Sequence, residues 1–491
     1  MNDSYILSID QSTSGTKGLI VDQYGNITAK RTVNHKQIYP QSGWVEHNPI
    51  EIYENVKRII NEIAKSNQYI GKVKALTITN QRETVIVWDR KTGEPAYNAI
   101  VWQCRRTTEE CTRLKCYEEK VNLKTGLTID PYFSATKVKW ILDNIAGVRE
   151  KAEKGELLLG TIDSWLIWKL TNGRIHATDV TNASRTLLYD IYTLDWDDEL
   201  LDIFQIPKLM LPEVKFSDEV FGLVEDDELL LNRIPISGII GDSQAALFAQ
   251  QCFDKGMAKA TFGTGTSVMV FTEELVKAKE GLVTSVACGY DGKVNYALEG
   301  IVNTTGDIIR WMKDDLSLID NFDEAETLAE TLDDNGGVYL VPAFIGLGAP
   351  YWSPKTRAGI IGMSRNTKKA HVVRAGLESI AYQVKDIIQL IYEETNLTVK
   401  ELRVDGGATS NDFLMQFLSD VLGIKVVVSN ISELSALGSI YLGGLGTSIW
   451  GSIDDICQLN NNRRIFKPKM NQEKSNQYYS EWKNAIHSLL I

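Results

Sequence analysis

Short apolar runs separated by polar turns open the chain. Tyr5 to Asp10 is apolar and ends in a carboxylate, Gln11-Ser12-Thr13-Ser14-Gly15-Thr16-Lys17 is polar, and Gly18 to Asp22 is apolar again. A Gly25-Asn26 turn and the run Ile27 to Val33 complete three predicted strands. A Walker-type phosphate loop needs a helix after its turn, so the strand that follows here excludes one. Pro49 to Lys65 then carries apolar residues at helical spacing, and Val73 to Ile78 and Thr84 to Trp88 predict strands flanking the polar turn Asn80-Gln81-Arg82-Glu83. Leu157 to Leu170 starts as a strand and passes into a helix. This alternation predicts a mixed α/β architecture.

The opening pattern recurs near the middle. Ala258 to Thr261 and Val268 to Phe271 predict strands around Phe262-Gly263-Thr264-Gly265-Thr266-Ser267, which suggests an internal duplication with one phosphate-type hairpin opening each half. The second half should begin between Gln244 and Lys255, with domains at 1–248 and 249–491 meeting around a cleft. Later, Leu402 to Asp405 predicts a strand running into Gly406-Gly407-Ala408-Thr409-Ser410-Asn411. Asp412 to Leu422 has the spacing of an amphipathic helix, whose capped start offers backbone donors to an anion.

Composition narrows the function. The 491 residues are 43% apolar and 24% charged, enough for two or more ordinary cores without disulfide or metal staples. Lys plus Arg number 52 against 64 Asp plus Glu, a formal charge of −12, so nucleic acid and anionic membranes are excluded as partners. Phosphates must then be held by backbone N–H groups, a few local cations or Mg²⁺. The six cysteines form no CxxC pair, which argues against zinc and for a reducing compartment. Met1-Asn2-Asp3-Ser4 carries no basic leader and no apolar stretch approaches membrane-spanning length, so a soluble cytoplasmic protein is expected.

Candidate chemistry sits at the turns. The first hairpin offers Asp10 for Mg²⁺ and Ser12, Thr13, Ser14 and Lys17 for phosphates, although the same residues make an ordinary turn. The strand Ile236 to Ile240 ends at Gly241-Asp242-Ser243-Gln244 and leads into a helix. Asp242 can accept a hydroxyl proton during phosphoryl transfer, or it can simply cap that helix.

The run Tyr132 to Asn144 and the run Gly359 to Glu378, with Gly362, His371 and Leu377, resemble the two signatures of the FGGY family of carbohydrate kinases. Within it, Gly43 to Pro49, Asn80 to Thr84, Asn98 to Thr107, the 342–352 segment and Arg403 to Gly407 resemble the branch that phosphorylates glycerol. The resemblance implies a two-domain actin-like ATPase fold, ribonuclease H-like, with a duplicated βββαβα core and an ATP cleft. It implies transfer of the γ-phosphoryl group of ATP to a primary hydroxyl of a small polyol. Arg82, Glu83, Trp102, Tyr132, Asp242 and Ser243 are then expected at the polyol, with Asp242 as catalytic base. Ser12, Thr13, Ser14, Lys17, Thr264, Gly265, Gly306, Arg310, Gly407 and Asn411 are expected at the nucleotide, and Asp10 at Mg²⁺. A homodimer or homotetramer follows the family habit.

Two departures bear on specificity. Ser243 and Ser267 stand where that branch carries Gln and Phe, which implies a wider, wetter pocket suited to a tetritol, pentitol or ketopentose such as xylulose as well as to glycerol. Arg310 replaces a Gln beside the expected adenine. The acidic stretch Glu225-Asp226-Asp227-Glu228 lies where some relatives bind fructose bisphosphate, so loss of that control is expected. The competing reading is a filament or chaperone ATPase with the same nucleotide clamp.

Overall fold

The structure, a computed structural model, describes residues 3–65, 68–278, 281–351, 353, 355–459 and 463–490. Met1, Asn2 and the motif residue Trp352 lie outside the described residues. The chain packs into two compact units. The first comprises Met1–Gln251, Ser285–Tyr296 and Glu433–Asn461, and the second Cys252–Thr284, Ala297–Ser432 and Asn462–Ile491.

In the first unit a six-stranded sheet runs in the order Val220–Leu223, Pro235–Gly241, Val73–Asn80, Tyr5–Gln11, Gly15–Asp22, Ile27–Asn34. Tyr5–Gln11 pairs antiparallel with Gly15–Asp22 and parallel with Val73–Asn80. Its core includes Leu7, Ile9, Ile20, Leu76, Ile78 and Ile236, packed with Ile52, Val56, Ile59 and Ile63 of the helix Pro49–Ala64. Asn48 starts that helix by accepting the Ile50 N–H at 2.9 Å, and Pro49 occupies the first turn, where its missing N–H costs nothing. The turn after Val73–Asn80 hands the chain to a different, four-stranded sheet containing Glu46–His47, Ala99–Ile100, Val85–Asp89 and Leu157–Thr161. Residues 80–84 therefore sit at a junction between sheets.

The second unit repeats the scheme. Five strands within it run Thr266–Glu273, Met257–Phe262, Glu401–Gly406, Lys425–Ser429, Arg463–Phe466 in that order in one sheet. Met257–Phe262 pairs antiparallel with Thr266–Glu273 and parallel with Glu401–Gly406, as the opening strand does with its own neighbours. Glu401–Gly406 is in turn parallel to Lys425–Ser429, as Val73–Asn80 is to Pro235–Gly241. The duplication suggested by two similar turns is thus a duplication of strand order. The helices Lys369–Thr395 and Asp412–Leu422 bury Val373, Ile380, Tyr382, Leu414 and Leu418 in this unit's core.

Candidate active site

Parallel strands end at one edge of the first unit's sheet and deliver Asp10, the Asn80–Thr84 turn and Asp242 there, because Tyr5–Gln11, Val73–Asn80 and Pro235–Gly241 run the same way. The capping role open to Asp242 is not realised. The helix Asp242–Ala249 is capped by Gly241 without a side-chain bond, and Asp242 is its first residue. Its side chain is 39% exposed, with Oδ1 3.4 Å from Arg82 Nε. Oδ1 also accepts the Ser243 N–H at 2.7 Å.

Arg82 and Glu83 are buried, which removes the reading of a surface ion pair. Arg82 Nε lies 3.7 Å from Glu83 Oε1, and Arg82 Nη1 donates to Gln244 Oε1 at 3.1 Å. Glu83 takes φ of 62°, a left-handed conformation that a non-glycine residue holds only when its surroundings fix it. Ser134 Oγ donates to its carbonyl at 3.1 Å, and Arg185 Nε donates to its Oε1 at 2.6 Å. Burial pushes the Glu83 carboxyl above its usual range despite Arg185 and Arg82 beside it. Trp102 and Tyr132 are half-buried, their rings 5.4 Å apart edge to face, with the Trp102 indole N–H donating to Thr13 Oγ1 at 3.0 Å. Donors, acceptors and aromatic faces of this kind suit adjacent hydroxyls and the C–H face of a polyol. Arg185 and Gln244 were not foreseen. Arg185 is 102 residues from Glu83 along the chain and no local pattern marks it.

Asp10 is buried, 4.0 Å from Lys17 Nζ. Burial pushes its carboxyl up to about 6, Lys17 opposes this, and Asp242 and Glu433 add to it. A buried carboxylate facing further acids fits a hard divalent cation that shares its ligands with phosphates. Among the described residues no group of three or more ligands could hold a metal by itself. With the folded-state value near 6 and the ordinary value at 3.8, the unfolded chain ionises first as pH rises. The metal-free fold is therefore penalised between these values and fully so above about 6, on the order of 2 to 3 kcal/mol. Asp10→Asn is expected to raise the melting temperature of the metal-free protein at pH 7.5, to leave it nearly unchanged at pH 4, and to lower activity. Equal melting temperatures at pH 7.5 would remove the penalty.

In the second unit Thr264, Gly306, Arg310, Gly407 and Asn411 line one cavity of about 320 Å³, together with Ile309, Phe322 and Glu326. Gly265 does not line it; a Cβ there would lie 2.5 Å from the Val302 carbonyl oxygen. Backbone approaches closely at Gly306, which lines the cavity, and at Gly406, next to the lining residue Gly407. A Cβ at Gly306 would meet the Gly263 carbonyl at 2.4 Å, and one at Gly406, whose φ is +99°, would meet that of Phe262 at 2.1 Å. One expectation is corrected. The start of the helix Asp412–Leu422 is not an open anion site, because Glu326 Oε1 accepts the N–H groups of Asp412 and Phe413 at 2.9 and 3.2 Å. Asn411 caps Leu414 N at 2.8 Å. The protein's own carboxylate fills the place offered to a phosphate. Ser12, Thr13, Ser14 and Lys17 belong to the first unit's hairpin.

The models of the FGGY family of carbohydrate kinases match residues 5–249 for the N-terminal domain and 258–447 for the C-terminal domain. The chain belongs to this family. The FGGY kinase is 50% identical over 489 residues to glycerol kinase 2 of Thermotoga maritima, covering 98% of each chain. It is 49% identical over 494 residues to the glycerol kinase of Halothermothrix orenii, covering 100% of this chain and 99% of the relative. A crystal structure of Plasmodium falciparum glycerol kinase with ADP superposes with a TM-score of 0.96 at 41% identity, covering 99% of this chain and 98% of that one. The gluconate kinase of Lactobacillus acidophilus, at 21% identity and a TM-score of 0.89, shares the fold. This FGGY kinase is a carbohydrate kinase of two-domain α/β fold, and its family makes ATP the phosphoryl donor. The filament or chaperone reading is set aside.

Proposed function

We propose that this kinase transfers the γ-phosphoryl group of ATP to a primary hydroxyl of glycerol, giving glycerol 3-phosphate. The observation that carries the reading is the buried Arg82–Glu83 pair placed beside a half-exposed Asp242. Glu83 and Arg82 accept from and donate to neighbouring hydroxyls, Trp102 and Tyr132 cover the carbon face, and Asp242 takes the proton of the attacking hydroxyl. The 320 Å³ cavity, lined by Gly306 and Gly407 among others, supports nucleotide binding by the second unit. Asp10 would hold Mg²⁺, which when bound offsets charge on the phosphates. The reading extends to a cytoplasmic homodimer or homotetramer.

An acceptor screen with Mg-ATP tests it. Glycerol is expected to be the best of glycerol, erythritol, threitol, xylitol and xylulose, and formation of no phosphate ester would refute the function. Ser243 supports a second acceptor class, because its short, half-buried side chain stands beside Asp242 where a Gln is usual. Ser267, the other short position, donates its hydroxyl to Glu299 at 3.0 Å. The variant Ser243→Gln is expected to shift the ratio of kcat/KM for glycerol over erythritol upward by roughly tenfold, the scale of one filled or paired contact. An unchanged ratio removes the pocket argument. The acidic loop is pinned to the helix Pro49–Ala64, with Tyr53 bonded to Asp226 and Lys57 to Glu228 at 2.6 Å. Fructose bisphosphate is accordingly expected to leave the rate unchanged at millimolar concentration, and dose-dependent inhibition would contradict this.

A further inference from the structure

Behind the first unit's site lies a closed ring of hydrogen bonds, most of it out of solvent. Trp102 N donates to Thr84 Oγ1 at 3.2 Å, and the Thr84 hydroxyl donates to Gln81 Oε1 at 3.0 Å. Gln81 Nε2 lies 2.9 Å from Gln11 Oε1, 3.3 Å from the Ser12 carbonyl and 3.3 Å from His47 Nδ1. The ring closes through the next residue of the hairpin, because the Trp102 indole donates to Thr13 Oγ1 at 3.0 Å. A second arm supports it. His47 Nε2 meets Gln37 Oε1 at 2.8 Å, and Gln37 Nε2 donates to the Thr13 carbonyl at 2.6 Å. Thr84 and His47 are fully buried and Gln81 is 1% exposed.

We propose that Thr84, acting through Gln81, is a positioning residue that locks the aromatic wall of the polyol site to the Ser12–Thr13 phosphate turn, so that the two sites are set as one piece. The inference rests on the polyol reading of Trp102 given above. Thr84 is fully buried and open to no ligand from solvent. Its hydroxyl is the junction because it is acceptor for the Trp102 backbone and donor to Gln81 at once, a pairing only a hydroxyl of that length supplies. His47 suits the role of a fixed neutral partner. Burial lowers its pKa to about 3, with the nearby His35 adding to the effect, so the imidazole keeps one protonation state across the working range and the ring keeps one polarity. Removing the Thr84 hydroxyl strands a buried N–H and a buried amide oxygen, and each can be paired again only if Trp102 or Gln81 moves.

Thr84→Val keeps shape and removes the junction, and Thr84→Ser keeps the junction and removes a methyl group. Full-length wild type, Thr84→Val, Thr84→Ser and Gln81→Met are to be compared for kcat, for KM toward glycerol and toward Mg-ATP, and for melting temperature. Thr84→Val and Gln81→Met are expected to raise the glycerol KM about tenfold and the Mg-ATP KM several-fold together, with Thr84→Ser within twofold of wild type on both. The inference is overturned if both KM values of Thr84→Val stay within twofold of wild type, if only one of them moves, or if Thr84→Ser fails to restore them. A fall in melting temperature and kcat at constant KM values overturns it too, since that is the signature of packing alone. Gln81→Met reads the same junction from its other side should Thr84→Val not fold. Wild type that phosphorylates no polyol defeats the functional reading itself, and an active wild type with a normal Thr84→Val defeats only this inference.

Discussion

Asp242→Asn is expected to lower kcat by about 10² to 10⁴, the range supplied by a positioned general base, with the fold intact and the glycerol KM moved by less than about threefold. The structure isolates the chemical role. Because Gly241 caps the helix, Asp242 is not needed to start it, and because the side chain is 39% exposed, its carboxylate is not a structural element of the core. Asn is isosteric and keeps an oxygen to accept the Ser243 N–H, now 2.7 Å from Oδ1. What is lost is the ability to take a proton from the acceptor hydroxyl, together with a negative charge 3.4 Å from Arg82 Nε. Loss of that charge frees Arg82 for the polyol, so binding should not weaken. Steady-state kinetics with a melting curve measures both, and turnover within threefold of wild type would take Asp242 out of the reaction.

The parts of this molecule written in local pattern were readable in the sequence. Asp412–Leu422 has the predicted helix limits because its apolar positions, its Asn411 cap and the Gly423 that ends it are all local signals. The two hairpins are readable for the same reason, and the strand order of both sheets agrees with the duplication they suggested. What could not be read are the contacts that join distant segments. Glu326 occupies the helix start at Asp412 from 86 residues away, and nothing near either residue announces it. Gly406 reads only as part of a glycine turn, and the need for its missing Cβ comes from the Phe262 carbonyl on the neighbouring strand. The Asn80–Thr84 turn reads as a simple polar connection, whereas it crosses between two sheets and buries Gln81, Arg82, Glu83 and Thr84 alike. The candidate site residues were named through a family resemblance; the residues that hold them were visible only once the chain was folded.

Arg185→Met should be the most destabilising single change at the polyol site. Glu83 and Arg185 are each 1% exposed, and Arg185 Nε donates to Glu83 Oε1 at 2.6 Å while its guanidinium lies 5.1 Å from the Phe133 ring and 5.9 Å from the Tyr132 ring. Met fills much of the volume but leaves a buried carboxylate with Arg82 Nε, 3.7 Å away, as the neighbouring cation. Stranding one partner of such a pair costs about 3 to 5 kcal/mol. Packing loss and charge loss predict different pH dependence. Glu83 already has a folded-state pKa above its ordinary value, and removing Arg185 raises it further. A raised carboxyl pKa penalises the fold as pH rises above its unfolded value and not below it, so the deficit of Arg185→Met should be larger at pH 7.5 than at pH 4, where Glu83 is largely protonated in both states. Arg185→Lys keeps a charge without the planar fork and should recover part of the stability, while its glycerol KM should exceed that of wild type because Glu83 then lacks the bond that aims it. Urea unfolding at the two pH values separates the cases: a deficit of equal size at both would assign the loss to packing and leave Glu83 without the role given to it here.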